Sequence, residues 1–321
     1  MEIVKPEPIY ISDEAPRLEE TIYRLDSGSR RFYYILDKEI EFFESITTLA
    51  GETLKTSPFL DKWRADLGWE ESKAFMNERA CYGTSLHILA GEYLMGNKLN
   101  LEDDYIEATL QAQAALDGVS YSHLWVDDLK RDMLAFARWV YDYDVTPLLI
   151  EQVLVHDGLG GAIDLYCALT IKEKGFWGEV YKSGVNKGKP KESYKERRVS
   201  AIVDFKSGRK GFYESHEIQL KMYQDLFEAV FPDDPVDKLY NWSPKDWRTE
   251  PSYNFKDQTH CDSHAKIPYL KGLAFCNGRP RPKDVTVYEG SLEIGQDMTK
   301  NFKTIPIEDW IRGQHKENEN N

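Results

Sequence analysis

The sequence predicts a mixed α/β protein in which helices come first and a β-β-β-α-β core follows. Three observations carry that expectation. Between Pro58 and about Tyr143 the pattern is helical, with Phe75, Arg79, Tyr82, Leu86, Leu89 and Tyr93 three or four residues apart. After Thr146-Pro147 the period changes, and Leu148–Val155 and Gly161–Ile171 read as strands joined by the turn His156-Asp-Gly-Leu-Gly160. Ser215–Val230 is then a strongly amphipathic run, ended by Phe231-Pro232 and followed by a strand at Lys238–Trp242.

Residues 1–57 are mixed and turn-rich, with aromatic clusters such as Arg31-Phe-Tyr-Tyr34. Two further helices are expected near Glu102–Leu116 and Trp125–Tyr143. The lysine-rich stretch Lys172–Arg198 reads as an insertion, and the strand Ser200–Ser207 follows it. Gly313–Asn321 is polar and reads as a frayed end. The expected organisation is a mostly helical region over 1–145 and a core over 146–312 with its insertion at 172–198. A flexible tail over 313–321 completes it. One mixed sheet with helices packed on it follows from this order.

The chain has 321 residues, enough for one large domain or two modest ones. Its formal charge of −14 excludes nucleic-acid binding by bulk attraction. Contact with DNA would need a local basic surface and metal ions that offset the carboxylates. No apolar run is long enough to span a bilayer, and Met1–Pro6 lacks a signal-peptide core. No membrane partner is expected, and the expected location is cytoplasmic. Cys81, Cys167, Cys261 and Cys276 are too widely spaced for a secreted disulfide framework. No phosphate-loop motif is present, so no ATP-driven motor is expected.

The most informative stretch is Ser200-Ala-Ile-Val-Asp-Phe-Lys-Ser207. Asp204 and Lys206 are two apart and share one face of a strand, while Val203 and Phe205 point into apolar packing. A carboxylate and an ammonium at the end of a buried strand suit metal-assisted hydrolysis. The carboxylate holds a divalent cation, and the lysine orients or deprotonates the attacking water and offsets developing charge. A solvated strand-edge pair is the alternative.

Asp164 lies in Gly160-Gly-Ala-Ile-Asp-Leu165. Alternation places Ala162, Asp164 and Tyr166 on one face and Ile163, Leu165 and Cys167 on the other, so that Asp164 projects into a pocket. An aspartate satisfied by a turn is the alternative. Gln219 and Tyr223 are four apart and stack on one helix face, as supports for a phosphate or the lysine, or as plain interface residues. His87 stands between Gly83 and Gly91, each of which costs a helix about 1 kcal/mol against alanine. That cleared strip suits the approach of a metal or a backbone; close helix packing and a hydrogen-bonded core histidine are the alternatives. Glu92 faces elsewhere and is a candidate support only. Glu151 opens the first strand and is a candidate second-metal or supporting carboxylate, or else a solvated strand start. The insertion 172–198 carries nine Lys/Arg and four Glu, with Phe176, Trp177, Tyr181 and Tyr194 interleaved. It reads as a flap that tracks phosphates and stacks bases, or as a solvated hairpin.

Taken in order, these segments resemble the PD-(D/E)XK nuclease superfamily, in its RecB-type exonuclease branch. The branch's Gly-x-x-x-His helix, Gly-x-x-Asp strand, Asp-x-Lys strand and Gln-x-x-x-Tyr helix stand here as Gly83-Thr-Ser-Leu-His87, Gly161-Ala-Ile-Asp164, Asp204-Phe-Lys206 and Gln219-Leu-Lys-Met-Tyr223. The resemblance implies a restriction-endonuclease-like mixed β-sheet core flanked by helices, and a metal-dependent DNA nuclease. It implies that His87, Asp164, Asp204 and the main-chain carbonyl of Phe205 bind Mg²⁺ or Mn²⁺. Lys206 would assist the water nucleophile, with Gln219 and Tyr223 in support. A stand-alone exonuclease in recombination, repair or phage DNA processing is the implied role, acting in the host cytoplasm if phage-encoded. Some relatives close the fold with a four-cysteine iron–sulfur cluster. Here Cys167 falls within the core sheet and only Cys261 and Cys276 are C-terminal, so no cluster is expected. His260, Cys261, His264 and Cys276 are zinc-ligand types at a spacing that fits no zinc motif, and a plain loop is expected. The alternative from another class is a catalytically silent nucleic-acid-binding or scaffolding module on the same fold. Intact Asp164, Asp204 and Lys206 argue against it.

Overall fold

Aromatic and branched residues open the chain as strands. The computed structural model describes residues 1–12, 15–28, 30–54, 58–276, 278–291 and 301–319. The first 45 residues supply β1 (Glu2–Val4), β2 (Ile9–Tyr10), β3 (Ile22–Ser27), β4 (Arg30–Ile35) and β5 (Glu41–Ser45). Five helices follow: α1 (Ile46–Thr53), α2 (Pro58–Leu67), α3 (Trp69–Leu94), α4 (Asp103–Asp117) and α5 (Leu124–Asp142). The core then runs β6 (Thr146–His156), β7 (Leu159–Gly175), β8 (Ser193–Phe205), α6 (Glu214–Val230) and β9 (Lys238–Pro244). Beyond it lie β10 (Tyr253–Asp257), α7 (Ile267–Ala274), β11 (Val285–Tyr288), β12 (Phe302–Ile305) and α8 (Ile307–Glu319). The protein is mixed α/β, and the expected β-β-β-α-β order is present with longer strands.

The expected mostly helical region 1–145 is helical only from Ile46. β1 to β5 join the same ten-stranded sheet as the core, in the order β1-β3-β4-β5-β7-β8-β9-β10, with β6 pairing β7 and β2. The physical reason is the two-residue alternation around Phe32, Tyr34 and Phe42, which bury one face with Leu25. The pairs β5–β7 and β8–β9 are parallel, and the other ladders of this sheet are antiparallel. β7 is the spine of the sheet. Its 17 residues span about 56 Å at the usual rise per residue.

Each face of the sheet has its own core. On one, α3, α4 and α5 pack Leu86, Leu89, Leu110, Phe136 and Trp139 against Leu165, Cys167, Val203, Phe205 and Trp242. The Phe136 ring meets Phe205 and Trp242 edge-on, with centroids 5.1 and 5.0 Å away. On the other, α1, α6 and α7 cover Leu149, Leu154, Ile163, Tyr166, Ile202 and Leu239. Burying each such side chain contributes about 1.5–3 kcal/mol, so the two helical layers hold the sheet from both sides.

Two further expectations need correction. Residues 313–319 of the expected flexible tail continue α8, while 320 and 321 lie outside the described residues. Ile307 and Ile311 bury against Phe32 and Tyr34, and His315 Nε2 sits 2.8 Å from Tyr34 Oη, so apolar and polar contacts anchor the helix. The segment 260–276, expected as a plain loop, forms a 3-10 turn and α7, because Ile267 and Leu270 bury against the α1–α6 layer. Among the described residues no helix is long and apolar enough to cross a membrane.

The paired glycines of β7 are packing residues. A Cβ on Gly160 would meet Tyr33 Cδ2 at 2.5 Å, and one on Gly161 would meet Tyr223 Cε1 at 2.4 Å. Gly161→Ala is therefore expected to cost about 1–3 kcal/mol of stability through overpacking. Gly51, in α1, faces open space, and Gly51→Ala is expected to add up to about 1 kcal/mol. Urea denaturation of the two variants checks the contrast, and a Gly161→Ala protein as stable as the parent would remove the packing role.

Candidate active site

The site forms where β8 parts from β7. The two strands pair from Gly175↔Ser193 to Leu165↔Val203 and no further, whereas β5 meets the same edge of β7 at Leu159 and Gly160. Between these ladders lies Asp164. Its Oδ2 accepts the main-chain N–H of Phe205 at 2.6 Å, so a side chain supplies the bond that a strand partner would have given. The end of β8 stays on β9 instead, with Lys206 N–H donating to the Trp242 carbonyl at 2.9 Å.

Strand alternation breaks at this level in both β6 and β7. Ile163 and Tyr166, three apart, pack on the α6 side, while Leu165 and Cys167 pack on the α3–α5 side. Leu149 and Leu154, five apart, likewise share the α6 side. The expected sharing of one face by Ile163, Leu165 and Cys167 is therefore overturned. A break in β6 accompanies it: Glu151, between the Ile150↔Leu165 and Gln152↔Ile163 pairs, takes a left-handed backbone with φ 53°. Such a conformation is strained for a non-glycine residue and concentrates at functional positions. It brings the Glu151 carboxylate to the same place as Asp164, level with the break.

α3 crosses the gap and brings His87. A Cβ on Gly83 would lie 3.1 Å from Ser207 Oγ, and one on Gly91 would lie 4.0 Å from Ile150 Cγ2. The two glycines thus let the helix settle on β6 and on the segment after β8, which is the close-packing alternative. His87 Nε2 is 3.2 Å from the Phe205 carbonyl oxygen, and Nδ1 is 3.5 Å from Glu151 Oε1 and 3.7 Å from Asp164 Oδ1. One ligand atom from each of His87, Glu151 and Asp164 lies within 4.8 Å of the others. An imidazole and two carboxylates so spaced can surround one divalent cation.

Burial works against the His87 cation, but Asp164 and Glu151 outweigh it and push the pKa up to about 9. Asp164 is raised well above the usual carboxylate range, by burial first and then by Asp204 and Glu151, against the pull of His87 and Lys206. Protons therefore stand in this cluster at neutral pH, at positions a cation would contest.

A second group adjoins the first through the backbone of Phe205. Lys206 Nζ lies 2.9 Å from Asp204 Oδ1, 2.8 Å from Asp204 Oδ2 and 3.1 Å from Gln219 Oε1. Gln219 Nε2 donates to Tyr223 Oη at 2.6 Å. Burial first, then the Asp204 and Asp164 carboxylates, keep the Tyr223 phenol protonated. Asp204, Lys206, Gln219 and Tyr223 are thus one connected set, while His87, Glu151, Asp164 and the Phe205 carbonyl form the other. Glu92 bonds Asn97 instead and takes part in neither.

Several residues here had no signal in the sequence. Asn241 donates to Asp204 Oδ2 at 2.7 Å from the register-paired position of β9. Arg209 reaches Asp132, Asp128 and Asp246 at 2.7, 3.2 and 3.3 Å, and Tyr82 Oη donates to the buried Asp132 at 2.6 Å. This latch ties the segment after Lys206 to α3 and α5. His216, in the first turn of α6, accepts the Tyr213 N–H at Nδ1, and burial and then Lys206 lower its pKa to about 4. Its ring is neutral, with the proton on Nε2.

The insertion 172–198 extends the β7–β8 ladder, with Lys172–Gly175 paired to Ser193–Glu196. Gly175 is eleven residues from Asp164 along β7, which places the hairpin's outer part about 36 Å from the site. Lys174 pairs with Glu192, Lys191 with Glu179 and Arg197 with Glu173, while Lys195 lies over the Trp177 ring. Phe176, Trp177 and Tyr194 are exposed. No protein-family model and no curated protein matches this sequence.

The upward shift of His87 fixes the sign of a pH effect. Stability from a group whose pKa rises on folding is complete below the unfolded value and is lost as pH climbs through the folded one. For His87 that window runs from 6.5 to about 9. In EDTA, the melting temperature is expected to fall by a few degrees across it, and His87→Gln is expected to flatten the slope. Circular-dichroism melts at closely spaced pH values test this, and the same slope in both proteins would contradict it.

Proposed function

We propose that this protein is a divalent-metal-dependent DNA nuclease, on a restriction-endonuclease-like core of the PD-(D/E)XK type. The observation that carries the reading is the convergence at one strand break of the His87–Glu151–Asp164 cluster with the Asp204–Lys206–Gln219 set. These donors suit Mg²⁺ or Mn²⁺, since they are carboxylate oxygens, a carbonyl oxygen and one imidazole. His87, Glu151, Asp164 and the Phe205 carbonyl would hold the ion, with Asp204 as the ligand that Lys206 fixes in place. When bound, such an ion neutralises phosphate charge and acidifies a water molecule.

The chain's own groups supply the rest. Lys206 places a positive charge beside Asp204, where it offsets charge growing on a phosphate in the transition state. Gln219 accepts from Lys206 and donates to Tyr223, so this buried pair fixes the direction of the ammonium. The hairpin at 172–198 carries a net charge of five positive in a chain of net −14, with exposed aromatic rings between its lysines. Its distance from Asp164 is about one turn of duplex, so it would bear on DNA away from the scissile bond. Digestion from ends is the mode the family resemblance implies.

Purified protein is expected to degrade end-labelled linear DNA with Mg²⁺ or Mn²⁺ and to stop in EDTA, with circular DNA resistant. Asp204→Asn and Lys206→Ala are each expected to lower kcat by about 100-fold or more. Cleavage unchanged by both would refute the assignment, and absent cleavage together with absent Mn²⁺ binding would favour the silent module. Replacing 176–192 by a short Gly-Ser turn is expected to raise KM for DNA, to flatten its salt dependence and to leave kcat alone. An unaltered salt slope would rule the hairpin out as a DNA contact.

A further inference from the structure

Behind Asp204 the interior is polar where it should be apolar. Asn241 and Gln258 are each fully buried, yet they are neutral amides with two donors and one carbonyl apiece. Asn241 Nδ2 donates to Asp204 Oδ2 at 2.7 Å. Gln258 Nε2 donates to Asn241 Oδ1 at 3.1 Å, and the Cys261 thiol faces Gln258 Oε1 at 3.2 Å, with the Gln258 main-chain carbonyl as a longer second acceptor at 3.5 Å. The Gln258 main-chain N–H donates to the Leu239 carbonyl at 2.8 Å, which pins this residue to β9.

The chain of bonds has one direction, and Asp204 sets it. An ionised carboxylate only accepts, so Asn241 must turn its NH₂ toward it. That leaves the Asn241 carbonyl in need of a donor, which the NH₂ of Gln258 supplies. The Gln258 carbonyl then needs the thiol. Reversing any amide would set acceptor against acceptor inside a dry core, at a cost of roughly 1–3 kcal/mol for each unmet group.

We propose that Asn241 and Gln258 are positioning residues that lock the plane of the Asp204 carboxylate beside Lys206. The inference rests on the reading of Asp204 and Lys206 as reacting groups. Lys206 restrains the carboxylate through both oxygens, but it does so from the end of a flexible four-carbon stem and does not distinguish one oxygen from the other. Asn241 touches one of them, from the fixed register position of the neighbouring strand, and so removes the rotation. Gln258 acts one step behind, by holding the Asn241 amide the right way round.

The test compares Asn241→Leu, Gln258→Leu and the paired Asn241→Leu/Gln258→Leu protein with wild type. The paired variant removes both amides together and leaves no orphaned side-chain amide, so it keeps the question answerable if a single variant does not fold. Mn²⁺ affinity is read by calorimetry, cleavage by kcat and KM, and folding by thermal melts. Asn241→Leu and the paired variant are expected to weaken Mn²⁺ binding and to lower kcat by about 10- to 100-fold, with KM for DNA unchanged and a smaller loss in Gln258→Leu. Folded variants with wild-type Mn²⁺ affinity and kcat would overturn the proposal, as would losses that merely follow the fall in melting temperature. Wild-type protein that binds Mn²⁺ but leaves DNA intact would sink the nuclease reading alone, and the Mn²⁺ affinities of the variants would then decide the role of the amides.

Discussion

The parting of β8 from β7 after Leu165↔Val203 is the constraint on which the candidate site depends. Two strands that separate in a buried sheet leave main-chain groups without partners, and such groups must be met some other way. Here Asp164 meets the Phe205 N–H, Trp242 meets the Lys206 N–H, and His87 approaches the Phe205 carbonyl. Two of the residues that repair the break, His87 and Asp164, also belong to the cluster that could hold a metal ion. Removing the break would pair Asp164 into a ladder and close the gap that α3 crosses.

Charge is handled locally and unequally. Lys206 contacts both oxygens of Asp204, whereas Asp164 and Glu151 share His87 as their near cation. The first set is compensated within itself. The second holds more negative than positive charge unless protons or a cation supply the difference. The second set is also partly open to solvent, since the His87 and Glu151 side chains are 25% and 43% exposed.

Local patterns made a good part of this legible. The i, i+3 and i, i+4 recurrence around Leu86 and Leu89 gave α3, and the two-residue spacing of Asp204 and Lys206 placed both toward α6, as Gln219 is. What escaped was non-local. Parallel pairing of Glu44 with Leu159 joins segments more than a hundred residues apart, and nothing in either segment announces it. Asn241 reaches Asp204 only because β9 lies in register beside β8. The face of Ile163 was misread for a different reason: strict alternation assumes an unbroken strand, and Ile163 packs with Tyr166, three residues on, while Leu165 and Cys167 pack on the other side. For α8 the signal existed, since Ile307, Ile311 and His315 recur every four residues, but the polar residues between them masked it.

The irregularity at Glu151 has a bearing on how the chain folds. β6 and β7 change the parity of their faces at the same level, so the hairpin fits itself in only one alignment. A slip by one residue would turn Leu149 and Tyr166 away from α6 and scatter the acidic pair as well. The kink therefore acts as a proofreading mark: a misaligned hairpin would forfeit its hydrophobic seat and its polar centre in one stroke.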